Sequence, residues 1–268
     1  MLLELRLLAL RFVKIFKKPL AKWVPIPRPV LFVGAGSTAR LCGLIGGSGA
    51  RRTMIATDAV LMKLGLVDPV RRALEAEGID VAVFDGIVPD PTEVVLQAGL
   101  SAVRAHGSDS ILALGGGSSI DAAKVIAAMA TSGKSPAQLV GMLKVGKPPL
   151  PLFAVPTTAG TGSEVTVVAV VTDSAKHEKK VVIDPKLVPV AAALDPVLMK
   201  GMPPPITAAT GMDALTHAVE AYQGGWPQAD TRMLCVSAVK LVFSNLPRAY
   251  SQGDDLEARE AMALASLY

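Results

Sequence analysis

Asp213 and His217, in GMDALTHAVEAY (211–222), stand four residues apart in a helical stretch. They share one helical face, so a carboxylate and an imidazole there can give two ligands to a divalent metal or bond to each other. Two other segments suit a phosphorylated ligand. Gly115-Gly116-Gly117-Ser118-Ser119 follows an apolar run and opens a helix, where backbone N–H groups and the helix N-terminus favour a pyrophosphate. It is neither GxGxxG nor GxxxxGK[ST], and it would serve equally as a tight strand–helix turn. Pro156–Glu164 (PTTAGTGSE) packs hydroxyls between glycines; these can bond ribose or phosphate oxygens, or close on themselves as Ser/Thr turns. Thr57-Asp58 ends another apolar run. An acid there can accept from the ribose hydroxyls of NAD and repel the extra phosphate of NADP, or cap the next helix. Gly34-Ala35-Gly36-Ser37 reads as a simple turn.

These groups need elements to hold them. After a stiff connector at Pro25, Pro27 and Pro29, apolar strand runs alternate with helical segments. Strands are expected at 30–34, 53–58, 80–85, at 110–119 running into the glycine turn, at 151–164 running into the hydroxyl loop, and at 190–195. Helices are expected around Arg40–Gly46, Val67–Glu77, Val94–His106 and Asp121–Thr131, with a β-hairpin pairing 165–173 with 179–185. Such repeats call for an α/β fold with a parallel sheet covered on both faces. Ligands then bind at the carboxyl ends of the strands, where the glycine and hydroxyl loops lie. The breaker cluster GMPPP (201–205) marks a domain boundary, and after it only helices are expected: Ile206–Gly224, Ala229–Asn245 and Asp255–Tyr268. The division is therefore 1–24, 25–202 and 203–268. His106 and His177 read as surface residues.

The 268 residues are 51% hydrophobic and 19% charged, enough for a sizeable core and unlike a disordered or coiled-coil chain. Cys42 and Cys235 cannot make a disulfide framework or a cysteine zinc site; they suit a reducing, cytoplasmic setting. The net charge of +4 is concentrated: Arg6, Arg11, Lys14, Lys17, Lys18 and Lys22 face Glu4 alone, leaving the rest about −1. A nucleic-acid partner is disfavoured, because the body of the chain lacks the positive footprint. Residues 2–18 form a basic amphipathic pattern, read either as a helix on a membrane surface or as one packed on its own domain or a neighbouring subunit.

Taken together, GGGSSIDAAK (115–124), PTTAGTGSEVT (156–166), Lys180 with Asp184-Pro185, and GMDALTHAVEAY (211–222) resemble the iron-containing (group III) alcohol dehydrogenase family. TD (57–58) and PDPT (89–92) fit in order, and the resemblance spans roughly residues 28–268. It implies a Rossmann-like parallel-sheet domain followed by the start of an all-helical domain, the architecture of dehydroquinate synthase. It also implies hydride transfer between NAD and a small alcohol or aldehyde, with iron, or alternatively zinc, held by one Asp and three His. Asp213 and His217 match the first two ligands. Gly116, Gly117 and Ser118 would hold the pyrophosphate, Asp58 the adenosine ribose, and Thr157, Thr158 and Lys180 would help fix the cofactor. Asp90 stands where the family commonly has Asn near the cofactor. No residue is assigned to proton transfer. Because no histidine follows His217, the resemblance implies a C-terminally truncated member, inactive or impaired as it stands. The alternative is a non-catalytic NAD-binding fragment attached to a membrane surface. A homo-oligomer is expected.

Overall fold

The computed structural model describes residues 26–174, 176, 178–224 and 229–268, without the side chain of Ala229. The amphipathic segment 2–18 and His177 lie outside the described residues.

Six short strands form one parallel sheet: β1 (Val30–Val33), β2 (Arg52–Ala56), β3 (Asp80–Phe84), β4 (Ser110–Gly115), β6 (Leu152–Pro156) and β9 (Ala191–Leu194), in the order β1-β9-β6-β4-β2-β3. All their pairings are parallel. A second sheet joins β5 (Gly141–Met142), β7 (Val168–Asp173) and β8 (Glu178–Ile183). β7 and β8 make the expected antiparallel hairpin, with Val168 opposite Ile183 and Asp173 opposite Glu178. β7 starts later than the sequence suggested, because Ser163–Val165 close into a 3-10 turn. β5 is too short to have been read from the sequence.

Strand alternation sorts the core onto two faces. Met54, Ala56, Ile111 and Ala113 pack on one side of the sheet; Ile55, Leu112, Leu114 and Phe153 pack on the other. The first side holds α4 (Glu93–His106) and α5 (Gly117–Ser132). The second holds α1 (Ser37–Gly47) and α3 (Val67–Ala76). Every residue of α5 from Ser119 to Met129 is buried, since α5 runs between the sheet, α4 and the β7–β8 hairpin. A helix covered all round needs no amphipathic stripe, which explains its uniform small apolar sequence.

Two short helices were not anticipated: α2 (Ala59–Lys63) and α6 (Pro136–Leu139). From Pro204 onward the only regular elements among the described residues are helices: α7 (Pro204–Gln223), α8 (Ala229–Ser251) and α9 (Leu256–Leu267), with a core of Ala214, Val242, Ala249 and Met262. The sequence placed the end of α8 at Asn245, but it continues through Pro247 to Ser251. The carbonyl that Pro247 cannot bond belongs to Phe243, which is 70% exposed, so water can satisfy it. Arg259 of α9, 2% exposed, ties this layer to the preceding linker through the Met202 carbonyl, and to α7 and the turn before α9 through the Thr207 hydroxyl and the Gly253 carbonyl. His106 is a correction: its side chain is 16% exposed, not on the surface, and Nδ1 lies 2.8 Å from Ser108 Oγ. It is drawn in because the chain turns directly from α4 into β4. Among the described residues, no helix is long and apolar enough to cross a membrane.

Candidate functional site

The carboxyl ends of β4 and β6 lie side by side, Gly115 opposite Pro156, and the Thr157 N–H donates to the Gly115 carbonyl at 3.0 Å. The glycine turn and the hydroxyl loop, forty residues apart in sequence, therefore leave the sheet together. Gly116 caps α5 with extended backbone and no side chain over the helix end. The N–H groups of the first turn and the positive end of a sixteen-residue helix thus face the strand ends, as an anion site requires.

The loop packs tightly on this turn. A Cβ on Gly117 would lie 2.7 Å from Thr161 Cγ2 and 2.8 Å from Thr161 Oγ1, and one on Gly116 would lie 3.3 Å from Thr158 Oγ1. Glycines there bring two hydroxyls against the backbone that would carry phosphate. Thr157 is buried. The sequence passed over Thr161; its signal was the close approach that Gly117 permits, visible only in three dimensions.

The far side of the loop leans on the helical layer. A Cβ on Gly160 would lie 2.7 Å from the Thr210 carbonyl oxygen and 3.0 Å from its Cα. One on Gly162, whose φ is +58°, would lie 2.7 Å from the Ser266 carbonyl oxygen. Thr210, Asp213 and His217 are spaced i, i+3, i+7 and so share a face of α7. Thr207, Gly211, Ala214 and Ala218 make the buried face. The Asp213/His217 pair thus begins one turn from the contact of Gly160 with α7. His217 Nε2 stands 3.6 Å from Asp213 Oδ1, with side chains 52% and 41% exposed. That is too long for a hydrogen bond, and both groups are open to a ligand. The donor types and spacing fit two positions of a divalent metal's shell; among the described residues no third His, Cys, Asp or Glu joins them.

Asp58 caps α2: its Oδ1 accepts from the N–H groups of Val60 and Leu61 at 2.9 and 3.0 Å. It stands two residues beyond the end of β2, the strand beside β4. Both cap bonds fall on Oδ1, so Oδ2 remains for a ligand. Asp90 sits at φ +53°, a conformation Asp tolerates, and its N–H donates to Ser118 Oγ at 3.4 Å. Its carboxylate pairs with Lys179 Nζ at 2.8 Å. Lys180 is not brought to the turn: its ammonium pairs with Glu178, and it borders a separate cavity of about 140 Å³ beside Glu93, Pro136 and Thr172. Adjacent strand residues point to opposite faces, so one of the two lysines had to turn away; the register of β8 decides which.

A second buried group went unnoticed in the sequence. Lys124, Asp121 and Glu164 are all buried. Burial pushes Lys124 down to about 8, against the nearby carboxylates of Asp121 and Glu164. It pushes Glu164 up to about 7 and raises Asp121 as well. Cys42, driven up to about 12 by burial, is an inert core thiol.

Residues 28–196 match the family model for iron-containing alcohol dehydrogenase, and residues 207–268 match the model for the C-terminal part of the Fe-containing alcohol dehydrogenase family. Alcohol dehydrogenase 4 of Schizosaccharomyces pombe is 44% identical, over 90% of this chain and 57% of the relative. The NAD-dependent methanol dehydrogenase of Bacillus methanolicus is 41% identical, over 88% of this chain and 62% of the relative. The crystal structure of a 1,3-propanediol oxidoreductase superposes with a TM-score of 0.88 at 38% identity, covering 91% of this chain and 64% of that one. The chain spans about three fifths of the length of these relatives.

Proposed function

The chain belongs to the iron-containing alcohol dehydrogenase family, and from that premise we propose that it carries the NAD site and two metal ligands of an enzyme interconverting small alcohols and aldehydes. The observation behind this reading is the hydroxyl loop, which touches the phosphate turn through Thr158 and Thr161 and the metal-pair helix through Gly160. A loop so placed can set the nicotinamide end of a dinucleotide over Asp213 and His217. The names of the relatives favour a small alcohol as substrate.

When bound, NAD supplies the hydride acceptor and iron or zinc polarises the alcohol oxygen. The chain's own residues bind and orient. Gly116, Gly117 and the free N–H groups of α5 would hold the pyrophosphate, helped by Ser118. Thr157, Thr158 and Thr161 would bond the inner phosphate or ribose. Asp58 Oδ2 would take the adenosine ribose, favouring NAD over NADP. Lys179, paired to Asp90 beside Ser118, is better placed for a phosphate than Lys180. Exposed Met233 and Phe243 on α8 support association into a homo-oligomer.

The non-catalytic reading applies to the 268-residue polypeptide as such. It contains three histidines, and the two donors of Asp213 and His217 would hold a metal weakly. The test is alcohol oxidation by this polypeptide with NAD and added ferrous iron or zinc, followed as NADH absorbance. Little or no turnover is expected. Robust turnover would mean that another subunit completes the metal shell, or that the metal binds elsewhere.

A further inference from the structure

The hydroxyl loop must be held at both ends to keep Thr158 and Thr161 against the phosphate turn. Its first end is fixed by the sheet, where Thr157 bonds to Gly115. Its second end leaves the sheet and has only local turn bonds until Val167, whose carbonyl accepts from the Asp184 N–H just before β7 begins at Val168. We infer that Lys124 is a positioning residue for the dinucleotide site, holding the second end of the loop from inside the helix whose N-terminus forms the phosphate turn. The inference rests on the reading of that site as a dinucleotide site.

Lys124 is fully buried. Its Nζ donates to the Thr166 carbonyl at 2.9 Å, to Thr166 Oγ1 at 2.9 Å and to the Val168 carbonyl at 2.7 Å. An ammonium has three N–H groups, and all three are spent where the loop joins β7. Lys124 follows Gly117 by seven residues, so the two share a face of α5, about 10 Å apart along the axis. One rigid helix therefore fixes both the turn and the end of the loop that covers it. One turn back, Asp121 accepts from the Val170 N–H at 2.9 Å, pinning the next part of β7. The charged groups facing Lys124 are Asp121 on its own helix, 3.9 Å away, and Glu164 on the loop.

Such burial is costly for a lysine, and an apolar side chain would fill the volume more cheaply. What the lysine adds is three directed bonds, two to Thr166 in a segment with no ladder of its own and one to Val168 at the start of β7. Because burial draws its ionisation down to about 8, its charge leaves within the accessible pH range.

The test uses the full chain, Lys124→Met and the milder Thr166→Val. NAD affinity is measured by calorimetry near pH 7 and pH 9, and amide exchange is measured without NAD. For Lys124→Met we expect NAD binding weaker by about tenfold or more, the loss equivalent to one charged hydrogen bond. Amides of 157–166 should lose protection while those of β2 and β4 keep theirs. Thr166→Val should move both readouts the same way by less. Wild-type affinity should fall between the two pH values, and that of Lys124→Met should change less, since Glu164 alone still titrates beside the loop. Unchanged loop protection and NAD affinity in both variants would overturn the inference, as would a loss of protection spread evenly over the sheet. If Lys124→Met fails to fold, Thr166→Val and the wild-type pH profile decide. If the wild type binds no NAD, the dinucleotide reading fails, while loop exchange still judges the role of Lys124.

Discussion

Of the two roles that the sequence offered for Asp58 as alternatives, the helix cap is observed and the ribose contact is the proposed one. One oxygen accepts both bonds that cap α2, and the other takes part in neither. Serine is as good a cap as aspartate, so Asp58→Ser should leave stability within about 0.5 kcal/mol. It should also narrow the preference for NAD over NADP by about tenfold, since a carboxylate beside a 2′-phosphate brings two like charges together. Parallel titrations with both dinucleotides check this; an unchanged ratio removes Asp58 from the ribose site. The buried triad makes a different prediction. Glu164, raised by burial to about 7, contributes stability that is full below its ordinary range and lost as pH rises through about 7. Lys124, lowered to about 8, works oppositely: its contribution is lost as pH falls through about 8. The melting temperature should therefore dip between about pH 7 and pH 8. Glu164→Gln should flatten the fall on the acid side, and a slope identical to wild type would show that Glu164 does not titrate there.

At the scale of elements, the hydroxyl loop links the sheet layer to the helices. A Cβ on Gly160 would meet the backbone of Thr210, and neither a helix backbone nor a pinned loop yields easily. Gly160→Ala should cost about 1–3 kcal/mol by overpacking, lowering the melting temperature by about 2–10 °C, and should weaken NAD binding as the loop lifts. Melting curves with and without NAD would show both effects; an unchanged curve would mean that loop and helix are not in close contact. The sheet strands, the hairpin and the three C-terminal helices were legible because period and breakers agree there. The glycine turn and the Asp213/His217 face were legible because each is local. The rest depended on register or distant contact. Lys179 and Lys180 cannot be told apart without knowing which face β8 turns inward. Thr161 matters only because Gly117 lies against it. Lys124 carries no local signal of burial; its role shows only once the helix is packed on every side.

For the whole molecule, the parallel sheet places the glycine turn and the hydroxyl loop at the strand ends, and the helical layer rests against that loop. Arg259 bonds to the linker between them through the Met202 carbonyl. The two donors of the Asp213/His217 pair, like the partial span against relatives, leave turnover a demanding readout for these 268 residues. NAD binding is the direct one, because every group assigned to the dinucleotide lies upstream of Met202. A calorimetric titration of the 268-residue chain with NAD should give saturable one-to-one binding, with a dissociation constant of about 1 μM to 1 mM, the range usual for such ligands. Heats of dilution alone across that range would contradict the account.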